Sequence, residues 1–454
     1  MRRESVEKWA WFPAAVFIAA IGLAGCGGGG GGGGGVGGGG VSPITRAGGA
    51  QGNGDSDLGF ALNSTGQFVA FSSQASNLLV GDTNSTYDVF LFNRQTGATT
   101  RESVGLGVPP LQADGASTFP SISADGRYVA FESLAENLVG PGQDTNLRSD
   151  IFVRDRTLAV TERASVALGG FPTQPDGDSN KPSISADGRY VAFFSFATNL
   201  VAGDTNGAAD VFLFDRQLAA PTQRVSVGAG GVQGDGASVV FGQAVSNDGT
   251  RVAFESAATN LVAGDANGAK DVFVWTSGTT ALVSVNSAGT GPGNGESRVS
   301  AISGNGRYVV FESDATDLVA SDNNGVTDIF VRDLTAGTTT RVSVGAGGAQ
   351  ANGASFALGS TTISDDGSFI VFESDASNLV TGDTNGVGDV FVRDTVSGTT
   401  TRLSITSASG QPTTVSTEGA VSRDGTTAAF GSFGPEFVTD NPSGFYNVYI
   451  LAVP

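Results

Sequence analysis

The feature that most limits what this chain can fold into is a unit of about 60 residues that occurs seven times. SISADGRYVAFES, from Ser121 to Ser133, returns as SISADGRYVAFFS (Ser183 to Ser195), VSNDGTRVAFES (Val245 to Ser256), ISGNGRYVVFES (Ile302 to Ser313) and ISDDGSFIVFES (Ile363 to Ser374). Looser copies stand at LNSTGQFVAFSS (Leu62 to Ser73) and VSRDGTTAAFGS (Val421 to Ser432). The same ring falls at Phe71, Phe131, Phe193, Phe254, Phe311, Phe372 and Phe430, at intervals of 57 to 62 residues. A period this long, filled with short apolar runs and no helical periodicity, belongs to a propeller and not to a helical solenoid.

Each unit supplies four strands. In the fifth, strand A is expected near Arg298 to Ser303, strand B at Tyr308 to Ser313, strand C at Asp328 to Asp333 and strand D at Thr339 to Val344. Strands B and C are β-branched or aromatic at successive positions, so both faces are covered, as in a blade held between two neighbours. The repeated Phe is then a packing residue and not part of a ligand cage. The seven units lie near 58–104, 118–166, 181–227, 240–285, 298–344, 359–405 and 417–454 plus 43–48. The last unit ends on YNVYILAVP (Tyr446 to Pro454), which matches strand C, and its missing strand D lies at the front of the chain, where PITRAGGAQGNGDS (Pro43 to Ser56) matches TTRVSVGAGGAQANGAS (Thr339 to Ser355). Pairing Ile44 to Ala47 against Tyr446 to Leu451 would close the ring and remove a free sheet edge. The expected fold is all-β: a seven-bladed β-propeller of four-stranded antiparallel blades over residues 41–454.

ADGRYVAF (Ala124 to Phe131) with DIFVRD (Asp150 to Asp155), and ADGRYVAF (Ala186 to Phe193) with DVFLFD (Asp210 to Asp215), resemble the TolB-like or WD40-like (PD40) β-propeller repeat. The resemblance covers about 410 residues. It implies the fold and leaves the function open, since propellers host enzymes, scaffolds and receptors alike.

Composition narrows the chemistry. The chain has no His and one Cys, which excludes a Ser-His-Asp or Cys-His catalytic unit, a Cys/His zinc site and an internal disulfide. With 24 Lys and Arg against 44 Asp and Glu, a net charge of −20 argues against a nucleic-acid partner. Only three Lys occur, Lys8, Lys181 and Lys270. Carboxylate, Lys or metal-dependent mechanisms stay open.

Residues 1–25 read as an export signal: Arg2, Arg3 and Lys8, then an apolar run from Ala10 to Leu23 that is shorter than a membrane span. It ends in Leu23-Ala24-Gly25-Cys26, which resembles the lipobox of bacterial lipoproteins. That resemblance implies lipidation of Cys26, a membrane anchor and residence in the cell envelope, and Gly27 in place of Asp favours the outer membrane over the inner. Residues 27–40 are thirteen Gly and Val36, a composition suited to a tether.

The A-B and C-D turns are short and lie on one face of the disc, whereas the longer B-C and D-A connections lie on the other, where binding residues are expected. The B-C loop carries an Asp-x-Asn-x3-Asp core six times: Asp82/Asn84/Asp88, Asp144/Asn146/Asp150, Asp204/Asn206/Asp210, Asp265/Asn267/Asp271, Asp322/Asn324/Asp328 and Asp383/Asn385/Asp389. A seventh, Asp440 to Asn447, is degenerate. Two readings fit these triads: turn chemistry, in which Asp and Asn bind their own backbone, or oxygen ligands for Ca²⁺. The D-A loop carries Gln-x-Asp/Asn-Gly-x-Ser, as at Gln112 to Ser117, read as a turn that Ser closes. Arg101, Arg163, Arg224, Arg341 and Arg402 on strand D are expected to pair across strands with Asp155, Asp215, Asp333 and Asp394 on strand C. The functional expectation is a non-catalytic, monomeric envelope lipoprotein that binds a protein, glycan or small ligand. The alternative is an envelope hydrolase or lyase that uses carboxylates on the long-loop face or in the central channel.

Overall fold

The computed structural model describes residues 41–47, 50–107, 110–218, 222–406, 410–437 and 444–454. The expected signal, Cys26, the expected glycine tether and the first four residues of the degenerate seventh loop lie outside them. Seven four-stranded antiparallel sheets stand in a ring, each in the order A-B-C-D. The second blade is typical, with strand A at Ser117–Ile122, B at Tyr128–Ser133, C at Asp150–Asp155 and D at Val160–Arg163.

Strand B shows why the sequence forms this ring. Val129 and Phe131 point to one face and pack with Ala61, Ala70, Val89 and Leu91 of the first blade. Ala130, between them, points to the other and packs with Ile184, Val191 and Phe193 of the third. Apolar residues at successive positions thus feed two different core layers. Phe131 is fully buried and stacks on Phe152 of strand C, directly opposite, at 6.1 Å between ring centres. The A-B turn is keyed to the preceding blade as well: Gly126 sits at φ 74° with the Phe68 ring where a Cβ would fall, 2.5 Å away. A side chain there would meet both a wrong-handed backbone and a ring.

The ring closes as the sequence implies, with a shifted register. Blade seven is built from strands at Ser416–Val421, Thr427–Ser432 and Asn447–Ala452, and its fourth strand is Ser42–Pro43. Ser42 lies opposite Ile450 and Pro43 opposite Tyr449, and Ile44 N–H donates to the Val448 carbonyl at 3.0 Å. Arg46–Ala47, expected in that strand, instead turns into a short hairpin with Ala50–Gln51. Ile44 is fully buried in the layer between blades seven and one, with Phe60, Phe71, Val448 and Ile450. Strand D of the fifth blade is also shorter than expected, at Thr338–Arg341, because Val344 leaves it to bridge Gln350.

Candidate functional site

The Asp/Asn triads do meet on the long-loop face, and each already has partners. In the first blade Asn84 Nδ2 donates to Asp88 at 3.3 Å, and Gln112 Nε2 donates to Asp82 at 2.7 Å and Asp88 at 3.0 Å. The Ser103 hydroxyl takes the other Asp88 oxygen at 2.7 Å. Arg101 completes the cluster, 3.2 Å from Asp82 and 3.4 Å from Asp88. A guanidinium therefore fills the place a cation would take between the two carboxylates.

The asparagines of the other triads behave as Asn84 does, each turning its amide toward the strand-C carboxylate. Nδ2 of Asn146 donates to Asp150 at 3.0 Å, that of Asn206 to Asp210 at 3.2 Å and that of Asn267 to Asp271 at 2.8 Å. Asn324 donates to Asp328 at 2.8 Å and Asn385 to Asp389 at 2.9 Å. The same amide nitrogens also tie down the D-A loop, donating to the carbonyls of Pro175, Gly234, Gly293, Ala351 and Pro412 at 2.9–3.2 Å. An amide that turns its hydrogens to the carboxylate brings no oxygen to a cation beside it. Oδ1 of Asn146 and Asn206 is taken by the backbone N–H two residues on, of Arg148 and Ala208, both at 3.0 Å, which is the turn chemistry.

The guanidinium clusters recur in four more blades. Arg163 reaches Asp144 (3.7 Å) and Asp150 (3.8 Å), and Arg224 reaches Asp204 (3.7 Å) and Asp210 (3.2 Å). Arg341 serves Asp322 (3.1 Å) and Asp328 (3.6 Å), and Arg402 serves Asp383 (3.3 Å) and Asp389 (3.2 Å). This corrects the expected cross-strand pairing. The strand register sets Arg163 opposite Phe152 and Asp155 opposite Val160, so the Arg is carried away from the strand-C Asp and toward the loop. Asp155, Asp215 and Asp333 pair instead with Arg127, Arg189 and Arg307 of the A-B turns, at 2.6–2.7 Å. Asp394 caps its own turn, accepting from the Val396 N–H at 2.8 Å.

The fourth blade departs from the pattern. Leu282 stands in place of the Arg and Pro292 in place of the Gln, so Asp265 and Asp271 face no guanidinium among the described residues. Burial pushes the Asp271 carboxyl up to about 6, with Asp265 adding to it. In the second blade burial also carries Asp150 up, to about 7, against the pull of Ser165 and Arg163. Among the described residues no group of three or more His, Cys, Asp or Glu is gathered to hold a metal ion. In six blades the Ser that ends the D-A loop closes it by a hydrogen bond to the Ser at the end of strand B, as between Ser117 and Ser133 at 2.8 Å.

A second constellation lies at the axis. Phe60, Phe119, Lys181, Phe241, Leu358 and Glu418 belong to six different blades and line one cavity of about 230 Å³, which only the centre of the ring allows. Strand A, or the segment directly after it for Phe241 and Leu358, supplies them. In blades two, three and seven its pairing with strand B slips by a bulge, between Thr118 and Ser121, Asn180 and Ser183, and Thr417 and Ala420. The bulged residues Phe119, Lys181 and Glu418 sit at φ 49°, 54° and 55°, left-handed conformations that cost a non-glycine residue about 1 kcal/mol or more. Bulges re-aim side chains, and here they turn three into the channel.

The bulge is held by the neighbouring blade. Glu132 accepts the Lys181 backbone N–H at 2.8 Å, Glu255 that of Val299 at 3.2 Å, and Glu373 that of Glu418 at 2.5 Å. This explains the Glu in the repeated FES at the end of strand B. These carboxyls are buried, which pushes Glu255 and Glu373 up to about 7. Glu418 rises to about 8, first through burial and then through the charges of Glu373 and Asp57. Lys181 is driven down to about 8 by burial, against Glu132 and Glu418. Its ammonium meets no oxygen acceptor among the described residues; it lies 2.9 Å from the centre of the Phe119 ring and 5.9 Å from that of Phe241. Oε2 of Glu418 is buried without a donor.

The other end of the channel is shut. The second residue of each A-B turn faces the axis, and backbone bonds link these turns from blade to blade: Ser64 to Ala124, Ala124 to Ala186, Asn247 to Gly304, Asn305 to Asp365, Asp365 to Arg423 and Asp424 to Ser64, at 2.7–3.1 Å. Arg423, buried, crosses the break between Ala186 and Asn247 by donating to the Asn247 side chain and to the Ile184 carbonyl, and lies 3.5 Å from Asp365. The channel is thus a cup with a polar floor and its mouth toward the long loops.

The sequence points to that face, and to the central channel only for the carboxylates of the alternative, without singling out Lys181 or Glu418. A signal was available: Lys181 and Glu418 are the only charged residues at their position of the repeat, beside Phe119 and Val299 in the other blades of equal strand-A length.

Neither a protein-family model nor a curated protein matches the sequence. Solved structures match by shape. An oligogalacturonate lyase in complex with manganese is 12% identical over 91% of this chain and 93% of that one, with a TM-score of 0.52. An oligogalacturonate lyase from Vibrio parahaemolyticus is 11% identical over the same shares, 91% and 93%, at 0.50. TolB from Acinetobacter baumannii is 13% identical over 74% of this chain at 0.40, and the match spans 63% of the TolB chain, less than two thirds of its length. At these identities the likeness is one of fold alone, that of a β-propeller.

Proposed function

We propose that this chain is a non-catalytic binding propeller of the bacterial cell envelope, anchored through a lipid on Cys26, in the outer membrane in preference to the inner, and that its ligand site is the cup at the long-loop end of the channel. One observation carries the site. Lys181 and Glu418 occupy the same bulge position in two blades, are held there at left-handed φ by carboxylates of their neighbours, and enter one cavity. Residues repeated in every blade serve the fold, whereas a charged pair present once is available for a ligand.

Thermal melts of the protein against small polar metabolites test the site. A stabilising ligand should lose its effect in Lys181→Met and Glu418→Gln. A ligand that stabilises both variants as it does the parent binds elsewhere, and the reading falls. The anchor is tested separately by fractionation: Cys26→Ser should move the chain from membrane to soluble fractions.

A second reading, an envelope hydrolase or lyase, draws on the Glu418 and Glu373 carboxyls, whose charges act on each other and whose raised protonation suits a general acid. Its test is cleavage of envelope polysaccharide, lost in Glu418→Gln.

A further inference from the structure

The cup holds two groups with opposite needs. The Lys181 ammonium is a donor whose nearest neighbour is the face of Phe119, a cation–π contact that stands in for an acceptor. Oε2 of Glu418 is a buried acceptor without a donor. Its surroundings carry an excess of negative charge, from Glu373 and Asp57. A carboxylate brought to Lys181 gains a charge-assisted hydrogen bond, and an ammonium brought to Glu418 gains another while offsetting the acidic surroundings. A ligand with only a carboxylate would leave Glu418 unanswered, and a simple amine would compete with Lys181 for the same ring faces.

The rest of the wall is apolar: Phe60, Phe119, Phe241 and Leu358. The cavity, about 230 Å³, is below the roughly 300–1,000 Å³ of sites for drug-sized ligands and suits one small metabolite. Arg423 and its partners close the floor, so a ligand must fit within the cup and cannot thread the ring.

We infer that the cup takes a free amino acid with an apolar side chain, its carboxylate on Lys181, its ammonium on Glu418 and its side chain against Phe119, Phe241 and Leu358. This rests on the channel being the ligand site. An ammonium on Glu418 requires that carboxyl to be ionised, so binding at neutral pH releases a proton from it to solvent.

The test is titration calorimetry of the full chain with leucine, 4-methylvaleric acid, which lacks the amine, and isoamylamine, which lacks the carboxylate. Leucine should bind at least tenfold tighter than either, with a heat that varies with buffer ionisation enthalpy as proton release demands. Lys181→Met should erase the preference for leucine over the amine and keep that over the acid, and Glu418→Gln should do the reverse. A misfolded variant would lose both preferences together, so the selective pattern is its own control. If a single-function analogue binds as tightly as leucine and either substitution weakens it, the channel reading stands and the amino-acid assignment falls. If none of the three binds, the amino-acid assignment falls and the channel reading rests on the metabolite melts; if leucine binds and both variants behave as the parent, both fall.

Discussion

Leu282 faces Phe273 across strands C and D of the fourth blade (Asp271–Thr276 and Thr279–Leu282), at the register where the third blade sets Arg224 opposite Phe212. One substitution within the repeat thus removes the cation from a loop that keeps both carboxylates. Among the described residues Asp271 keeps side-chain hydrogen bonds from Asn267, at 2.8 Å, and Ser284, at 2.6 Å.

Restoring the Arg should stabilise the protein. Leu282→Arg is expected to add about 1 kcal/mol at pH 7.5, the scale of a charge-assisted contact less the apolar packing lost. Because Asp271 is raised to about 6, its ionisation opposes folding as the pH climbs through that window, and the benefit should vanish below about pH 4. The converse change, Arg163→Leu, should cost about 3 kcal/mol, since it strands Asp144 and Asp150 in a buried loop. Chemical denaturation at two pH values checks both.

Calcium is expected to act weakly. A guanidinium lies between the carboxylates of five loops, so the melt in chelator and in millimolar Ca²⁺ should agree to within a degree or two. Any shift that appears should be lost in Asp265→Asn, the change in the one arginine-free loop of the six. A shift that survives it would place ion binding outside that loop.

Stability should fall as the pH rises from about 4.5 to 8. Glu255, Glu373 and Glu418 hold their protons in the native state to about 7, 7 and 8, while the unfolded chain releases them near the ordinary carboxylate value, so the native state carries more protons across that window. The loss begins above the unfolded value and is complete above the folded one. Glu418→Gln should flatten the upper part of the slope. A melting temperature that rises over the same range would contradict the burial of this set.

Closure makes its own prediction. Ile44 is fully buried between blades seven and one, so Ile44→Ala should cost about 2–4 kcal/mol, and a chain shortened past Thr45 should lose far more by opening the ring. Phe131→Ala, within an ordinary blade, should cost about 3–5 kcal/mol. If Ile44→Ala leaves the melt unchanged, the closing strand does not hold the ring.

The fold was legible because its determinants are local and repeated: the turn glycines, the β-branched strands and the strand-B Phe each recur in register. The closing strand was legible by subtraction, though its register was not, since Pro43 and the tight hairpin after Arg46 move the pairing forward. The Arg clusters were misread because strand alternation decides where a side chain points: Arg163, opposite Phe152, is directed to the loop and away from Asp155. Spacing alone could not say which end of the Asn146 amide meets Asp150, and it is the nitrogen. The cup lay further from view. It depends on three bulges and on which carboxylate of the neighbouring blade accepts each freed N–H, relations between residues about 50 apart, such as Glu132 and Lys181.

The closing strand also decides how the molecule bears load. Ser42 and Pro43, at the start of the described residues, form the outermost strand of the last blade. Tension drawn along them is passed first to a ladder two residues long and to the Ile44–Val448 hydrogen bond, before it reaches any complete blade. The ring is therefore least secured at that seam, and under a pull on Ser42 it should part there and open as a six-bladed arc with a loosened seventh.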